Sequence, residues 1–480
     1  MKRKASNSNN QDSEKLQIST FRANEIARKT WAFSYWSLVL LWCLGLGAWC
    51  FSAHSQETNQ TVPIDLPTAL RLANAQNLDI QLARARLAEA RANRDVANEK
   101  FFPWLTAGAG YTRHDDRIQD VGGNVFNADK QAYTVGGNFK AQLELGDAIY
   151  QSLAAKQQVH AADFALESQR QESALVAALG YHDLATARAL VAVVREALAI
   201  SQDYQRQLHD AVAAGLAFKG DELRVQVQTE RYQVIVRQVL ERQRIAAARL
   251  AEVLHLNPSI ELVPDTSEIL PLTLVETNAP LSSLVAQALK SRPEFKENQS
   301  LVAAARDSKN GAVYGPLIPS VGGQAFLGGL GGGKDWSTDN FGSSEDYALG
   351  IAWRIGPGGL FDVGRSRSAK ARLETAKLSG AKLQDAITRE VVESDTRVRS
   401  LFDQLAAAKK TLQTSDEALR LTRERKQFGV GAVLEDIQAQ QDLTRARSDY
   451  LNVIAEYNKA QHSLIRALGG VPTFPPVATH

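Results

Sequence analysis

In two stretches of the chain the type of side chain alternates from one residue to the next, which is the pattern of a β-strand. From Tyr133 to Leu145 apolar residues alternate with polar ones, and from Tyr347 to Ile355 large residues alternate with small ones. The length and period match a strand of a membrane barrel, which takes ~9–11 residues with one apolar face. A strand of a soluble β-sandwich alternates in a similar way, so the strands alone leave both structures open.

Each of these strands has a weaker partner upstream. Leu105–Thr112 and Ser320–Gly328 are rich in Gly and Ala and predict two further strands, so that each half of the chain carries one β-hairpin. Bacterial membrane barrels have at least ~8 strands, so four strands per chain require several chains. A homotrimer would supply about 12 strands to one closed barrel.

Very long helices account for most of the remaining sequence. No proline interrupts Asp147–Leu256 or Phe361–Leu468, and the heptad-like apolar spacing favours coiled-coil packing. We predict a helix over Ala148–Ala213, roughly 100 Å long at ~1.5 Å per residue, with an antiparallel return over Lys219–Leu256. An opening helix over Ile64–Lys100 would stack on that return and line the long helix. The second half would repeat this with Phe361–Lys426, Ala432–Leu468 and a helix after Leu281.

The second half of the chain repeats the plan of the first at an offset of 214 or 215 residues. Gly215 and Asp221 correspond to Gly429 and Glu435, and both glycines stand where a helical hairpin would turn. A stretch with four prolines between the halves is typical of a linker. The predicted division is an N-terminal extension and signal peptide (1–55), a first repeat (56–256), a linker (257–280), a second repeat (281–470) and a C-terminal tail (471–480).

The N-terminal extension has the order of a secretory signal. A basic flank precedes the short apolar run Ser37–Phe51, and Ala53-His54-Ser55 has the small residues of a cleavage site. An uncleaved N-terminal anchor is the alternative, because the stretch before the apolar run is long. Cys43 and Cys50 both lie in this run, so cleavage would leave a mature chain without cysteine.

Charge and motifs offer no support for an enzyme, a cofactor or a nucleic-acid partner. The net charge is +2, but residues 1–55 hold seven Lys/Arg and three Asp/Glu, which leaves 48 basic and 50 acidic residues and no concentrated basic face. Gly328–Lys334 imitates a phosphate-binding loop, but Asp335 replaces the required Ser or Thr, so we expect an extracellular loop there and another at Arg113–Gln131. The histidines that follow position 55 are scattered along the chain without metal-ligand spacing. They are His114, His160, His182, His209, His255, His462 and His480.

Two repeats, each with helices, a β-hairpin and a long helical hairpin, resemble the TolC-like outer membrane efflux proteins (outer membrane factors). The local matches are the opening Leu66-x-x-Ala69-Leu70, the tips Ala214-Gly215-Leu216 and Phe428-Gly429-Val430-Gly431, and Tyr457-Asn458-x-Ala460 near the end. The resemblance implies a mainly α fold with a transmembrane β part, in which a trimer forms a 12-stranded β-barrel and a periplasmic α-barrel. It also implies an outer membrane exit duct that works with a periplasmic adaptor and an inner-membrane transporter or type I secretion ATPase.

The resemblance also implies that the helical tips close the channel and bind the adaptor. Gly215, Leu216 and Gly429 are expected turn residues and adaptor contacts, and Asp221 and Glu435 stand near the two tips. The family often carries a second acidic residue at the position of Gln438, so this chain departs from a paired-carboxylate gate. Glu435 has an ordinary alternative as an acidic residue in the first turn of a helix.

A coiled-coil protein without a pore, such as a periplasmic adaptor or an envelope tether, is the rival hypothesis. It explains the heptads but does not need amphipathic strands in both repeats. We therefore expect a channel of the outer membrane and periplasm.

Overall fold

The computed structural model describes most of the chain that follows the N-terminal extension. The described residues are 61–257, 260–265, 268–275, 279–334, 340–427 and 433–472. The predicted signal peptide and the last eight residues of the predicted tail lie outside the described residues, so both stay predictions.

The first repeat forms short helices, a pair of long strands and a long helical hairpin. Its elements are β1 (Thr61–Ile64), α1 (Leu66–Gln76), α2 (Leu78–Glu99), β2 (Trp104–His114), β3 (Arg117–Gln119), β4 (Val125–Asn127), β5 (Lys130–Leu143), α3 (Leu145–Ala213) and α4 (Lys219–Val253). Strand β6 (Glu261–Pro264) lies in the predicted linker, and the second repeat follows with α5 (Leu281–Ser291), α6 (Pro293–Tyr314), a 3-10 turn (Gly315–Leu317), β7 (Ser320–Lys334), β8 (Gly342–Ala352), α7 (Val363–Gln427) and α8 (Val433–Ala467).

The single opening helix predicted over Ile64–Lys100 is wrong, because Asn77 divides it into α1 and α2. The Asn77 backbone is extended at ψ 128°. Its side-chain oxygen accepts from the amide of Asp79 at 2.8 Å and caps α2, and its amide nitrogen donates to the Val253 carbonyl at 3.1 Å. The second repeat breaks at the equivalent place, where Pro293 begins α6. One residue interrupts the helix in each repeat, at a capping side chain in the first and directly before a proline in the second.

Helix α3 is the centre of the helical part. Helices α2 and α4 lie along its two ends, as the length argument predicts, while α6 and α8 pack on its other side and on α7. The order of neighbours is therefore α2–α3–α6–α7 near the sheet and α4–α3–α8–α7 near the hairpin tips. In the part of the chain that the structure describes, no helix is long and apolar enough to cross a membrane.

The long strands of both repeats join in one antiparallel sheet with the order β2-β5-β7-β8. Phe139 on β5 pairs with Leu105 on β2 and with Ala325 on β7, and Ala325 pairs with Tyr347 on β8. Residues that pair across strands share a face, so Tyr111, Phe139, Leu327 and Tyr347 lie on one side of the sheet, whereas Phe326 and Leu330 of β7 lie on the other.

Three predicted boundaries change in the sheet. Strand β7 continues to Lys334, so Gly328–Lys334 is a strand segment rather than the predicted loop. The predicted loop Arg113–Gln131 contains the small hairpin of β3 and β4. Strand β8 ends at Ala352, whose partner Ser320 is the first residue of β7, and the indole of the next residue, Trp353, donates to the Leu317 carbonyl at 3.2 Å.

Each repeat has its own apolar core in the middle of the helical part. The first core contains Ile64, Leu66, Ala69, Ala73, Ala177, Leu184, Leu250, Leu254 and Leu262. The second contains Leu284, Ala288, Ile387, Val391, Tyr457, Ala460 and Leu464. The end of the predicted linker is tied to α8, because Asn458 accepts from the Leu272 amide at 2.8 Å and Gln461 accepts from the Val275 amide at 3.0 Å.

Candidate functional site

The tip of the first helical hairpin turns at Gly215. Its amide donates to the Val212 carbonyl at 3.0 Å, and the Leu216 amide donates to the Ala211 carbonyl at 2.8 Å. These are the two bonds of a Schellman motif, which needs a left-handed residue at this place. Gly215 has φ +72°, a conformation that costs roughly 1–2 kcal/mol for other L-residues. Leu216 projects from the turn with 83% of its surface exposed, so it is available to a partner.

The acidic residues of this tip form local ion pairs. Asp221 lies in the first turn of α4, where the helix dipole favours a carboxylate, and it pairs with Arg224 at 3.1 Å. Its neighbour Glu222 joins both arms of the hairpin, because it accepts from His209 at 3.0 Å and from Lys219 at 2.6 Å. These hydrogen bonds, that of His209 first, lower the pKa of Glu222. Glu222 therefore ties the arms together more directly than the predicted Asp221.

The second tip carries the other predicted residues. Gly429 lies outside the described residues, so its turn stays a prediction. Glu435 lies in the first turn of α8, and its carboxylate is 3.3 Å from the Arg425 guanidinium of the same hairpin. Gln438 lines a shallow groove of about 400 Å³ together with Glu435 and Asp442. Both side chains of the Arg425–Glu435 ion pair are about half exposed, so the pair stabilises the hairpin by only ~0–1 kcal/mol. The roles of Glu435 and Gln438 at a gate stay predictions.

Other residues of α8 face the first hairpin. Asp436 and Gln440 line a cavity of about 720 Å³ between the two hairpins, and Arg423 donates to the Gln440 side chain at 3.1 Å. The remaining walls are Ala199, Ile200, Ser201, Asp203, Tyr204, Gln207, Val225, Gln228, Tyr232 and Ile437. None of these residues is among those predicted from the sequence. The available signal is the stripe Asp436, Gln440, Leu443 and Arg447, which steps by four, three and four and so marks one helix face.

Three ion pairs join α3 of the first repeat to α8 of the second. In each of them the acidic residue lies on α3 and the basic residue on α8. Glu172, Asp183 and Glu196 of α3 supply the carboxylates, and Arg466, Lys459 and Arg447 of α8 supply the cations. The Arg447 pair is 3.0 Å long and the Arg466 pair 3.4 Å. Arg466 also bonds to Glu294 on α6. We call this contact between α3 and α8 the repeat seam.

Two histidines meet in the repeat seam, although the sequence shows all of them as scattered. The rings of His182 on α3 and His462 on α8 have centroids 5.2 Å apart. Their distance along the chain hides this pairing, because it depends on how the two helices are rotated. Among the described residues, no group of three or more His, Cys, Asp or Glu side chains could hold a metal ion.

The two faces of the sheet differ in chemistry. One face carries large apolar side chains, several of them more than half exposed, listed as Tyr111, Val135, Leu327, Tyr347, Leu349 and Ile351. The other face carries mainly polar and small residues, together with Phe326 and Leu330 of β7; the polar and small residues are listed as Thr106, Gly136, Asn138, Lys140, Gln142, Gln324, Gly328 and Asp346. At one end of the apolar face Tyr133 stacks on Phe341, with centroids 5.8 Å apart, and at the other lies Trp353. An exposed apolar band between aromatic residues is typical of a lipid-facing sheet.

The duplicated plan of helices and strands is also the plan of a known family. The model of the outer membrane efflux protein family matches residues 69–254 and 284–470. This chain belongs to the outer membrane efflux protein family. The resemblance to TolC-like proteins is thereby confirmed, with the mainly α fold built from two repeats. Members of this family are channel components of the outer membrane rather than enzymes.

Solved structures of outer membrane proteins share the fold at low sequence identity. The Campylobacter jejuni outer membrane channel CmeC is 16% identical, with 87% of this chain and 90% of that chain covered and a TM-score of 0.71. The Vibrio cholerae outer membrane protein VceC is 20% identical, with 84% and 96% covered and a TM-score of 0.69. The open state of the Neisseria gonorrhoeae channel MtrE is 19% identical, with 84% and 89% covered and a TM-score of 0.69. Among curated proteins, no relative matches by sequence.

Proposed function

We propose that three copies of this efflux protein form an exit duct through the outer membrane and across the periplasm. An inner-membrane transporter or secretion ATPase would supply the substrate and the energy, and a periplasmic adaptor would link it to the helical tips. The observation that carries the proposal is that the sheet and the helical layer both end in uncovered edges. A closed ring of copies would cover those edges.

The apolar face of the sheet has the height of a membrane core. From Tyr133 to Leu143 strand β5 rises roughly 34 Å at ~3.4 Å per residue. A tilt of ~40° reduces this to ~25 Å, the height of the apolar band on outer membrane barrels. The polar and glycine-rich opposite face would then line the lumen, with Asn138, Lys140 and Gln142 in contact with water.

The helical layer has apolar residues on its two uncovered edges. On α2 and α4, at one edge, Leu82, Val96, Leu223, Val227 and Val234 are each about half exposed. On α7, at the other edge, the exposed apolar residues include Leu378 and Leu421. Leu223, Val227 and Val234 step by four and seven, which is the seam of a coiled coil without its partner. In a homotrimer, α7 of the next copy would supply that partner.

The tips are the expected place of adaptor contact. Leu216 and the neighbouring Phe218 are 83% and 74% exposed at the first tip. Exposed apolar side chains at the end of a long rod are typical of a protein interface. The residues expected to form the gate and to contact the adaptor are Gly215, Leu216, Asp221, Gly429, Glu435 and Gln438.

Conductance of the detergent-extracted mature protein in a planar bilayer tests the pore, after its mass has been measured. We expect the mass of a trimer and discrete conductance steps. Protein that is extracted without detergent and gives no steps would contradict the proposal and favour a coiled-coil tether.

Replacing Glu435 by Ala should increase the open fraction of the channel if this carboxylate helps to close the tip. An unchanged open fraction would show that Glu435 is not part of the gate.

A pair of matched variants tests the proposed assembly. Val227→Glu with Val234→Glu places two carboxylates in the uncovered seam of α4, so the trimer should dissociate in a native mass measurement. Gln233→Glu is the control, because Gln233 is exposed on the polar stripe of the same helix. A trimer that survives the double substitution would show that this edge of α4 is not a subunit interface.

A further inference from the structure

The histidine pair in the repeat seam is buried, and three of its four ring nitrogens have no hydrogen-bond partner among the described residues. His182 is 5% exposed and His462 is fully buried. In the described part of the chain, no hydrogen bond reaches His182 Nε2 or either ring nitrogen of His462. Buried polar groups are nearly always hydrogen-bonded, so three unsatisfied imidazole nitrogens at one contact are unusual.

The charges around the pair disfavour an additional positive charge. On α8, Lys459 precedes His462 by three residues and Arg466 follows it by four, so both cations lie on its side of the helix. The Lys459 ammonium bonds to Asp183 and to Glu456, and Arg466 bonds to Glu294 and pairs with Glu172. These carboxylates are therefore already engaged by cations. Helix α4 adds further cations beside this contact, Arg242 and Arg249, which line a cavity with Asp183 and Lys459.

We infer that the His182–His462 pair is an acid-sensitive joint, which holds the two repeats together while both imidazoles are neutral and loosens the repeat seam when they take up protons. The inference concerns the contact between α3 and α8 within one chain and does not depend on the proposed pore. No residue at the equivalent places of the other repeat matches the pair, since Thr396 and Ala248 stand there at the offset of 214.

The sign of the effect follows from the buried, neutral state. Burial, with the nearby His462 and Lys459, lowers the pKa of His182 to about 3, and burial lowers the pKa of His462 to about 4. An opened seam returns both rings to water, where the pKa is ~6.5. The open form thus binds more protons between about pH 6.5 and 4, and the closed seam loses stability as the pH falls through that window. At pH 5.0 a hydrated imidazole is protonated about 30 to 1.

Hydrogen–deuterium exchange of the full-length protein in detergent tests the joint. After correction for intrinsic rates, we expect amides of 178–200 and 445–466 to lose roughly tenfold or more of their protection between pH 7.5 and 5.0. The variant His182→Gln/His462→Gln should not show this loss. His160→Gln is the matched control, since His160 is exposed on the same helix α3 and should leave the wild-type response unchanged. Equal protection of the wild type at both pH values would overturn the inference, as would an equal loss in the double variant.

A second measurement on the wild-type protein keeps the test valid if the double variant does not fold. Exchange of the imidazole C2 hydrogen, read by mass spectrometry, reports the pKa of each histidine. His182 and His462 should titrate at least one pH unit below the ordinary histidine pKa of ~6.5, and their C2 hydrogens should exchange more slowly than that of the exposed His160. Titration of both at the ordinary value of ~6.5 would sink the idea, because protonation would then not distinguish the closed seam from the open one.

Discussion

The two longest helices have nearly the same length, 69 residues in α3 and 65 in α7, but only α3 is surrounded. Helix α3 contacts α2, α4, α6 and α8, whereas α7 contacts α5, α6 and α8 and leaves one side uncovered. Duplication of the sequence thus gave two similar helices with unequal environments. The helical layer therefore ends at α7 without a neighbouring helix on its outer side. Packing within one chain does not explain the exposed apolar residues on that side of α7.

Among the substitutions that test this comparison, the one at Arg466 should lower the stability of the protein most, because Arg466 joins the two repeats. Its equivalent in the first repeat, Glu252, is exposed. Arg466→Met removes the cation that bonds to the half-buried Glu294 and leaves only the weaker pair with Arg292 at 3.5 Å, so the free energy of unfolding should fall by up to about 3–5 kcal/mol. Urea unfolding followed by circular dichroism measures this. Arg420→Met on α7 is the control, and it should cost less than about 1 kcal/mol because its ion pairs are exposed.

The pH dependence of the Arg466 variant sharpens the same prediction. Burial raises the pKa of Glu294, but the hydrogen bond and the charge of Arg466, with smaller contributions from a backbone hydrogen bond and Arg292, together outweigh burial and hold the pKa below its ordinary value. In the wild type this pair therefore stabilises the protein above about pH 4.5 and less below it. The difference between variant and wild type should shrink as the pH falls through that value. A difference that stays constant down to pH 4 would assign the loss to packing instead.

Leu184 and Leu378 test the unequal burial of α3 and α7 directly. Leu184→Ala removes a fully buried side chain from the first core, so unfolding should become easier by about 2–5 kcal/mol. Leu378→Ala changes a residue that is 62% exposed on α7. It should leave unfolding of the single chain within about 0.5 kcal/mol and lower the temperature at which the trimer dissociates. Similar losses of chain stability at both sites would break the comparison.

The ends of α4 and α8 provide a smaller contrast. Both helices end in a left-handed residue, His255 with φ +53° and Gly469 with φ +81°, at equivalent places of the two repeats. A side chain at Gly469 would also stand 2.8 Å from the Ser291 hydroxyl. Gly469→Ala should therefore cost at least about 1–2 kcal/mol in the same urea experiment.

The smallest expected effect is a gain at the matching position. His255→Gly removes the cost of a left-handed side chain at the end of α4, so stability should rise by about 0.5–1 kcal/mol. Thermal unfolding of the single variant measures the shift. A loss of stability would mean that the His255 side chain makes contacts that outweigh its backbone strain.

Local patterns predicted the elements that depend only on neighbours in sequence. The absence of proline and the heptads gave α3 and α7 within a few residues, and the alternation around Phe139 gave β5 and its apolar face. The same patterns did not reveal the break at Asn77, because a single capping side chain and its bond to Val253 decide it. The extension of β7 to Lys334 was also missed, since glycines are poor strand formers and only pairing with β5 keeps them extended.

The candidate site was harder to predict than the fold. Gly215 could be found from its turn chemistry alone, whereas Asp436, Arg423 and Gln440 matter only because their helix face meets the other hairpin. The His182–His462 pair depends on the rotation of two helices that lie 280 residues apart in the sequence. Contacts of this kind follow from packing, and the periodicity of one helix constrains them only to a face.

The parallel pairing of β1 with β6 has a consequence for how the chain folds. Thr61 pairs with Glu261, so β1 can form its strand pair only after a strand about 200 residues further along the chain is available. Once β6 is present, Leu262 completes the first core and the first repeat is closed, before any residue of the second repeat is required. A chain that emerges from a translocon with its N-terminus first can therefore complete one repeat on its own, and the second repeat can then fold against a finished surface.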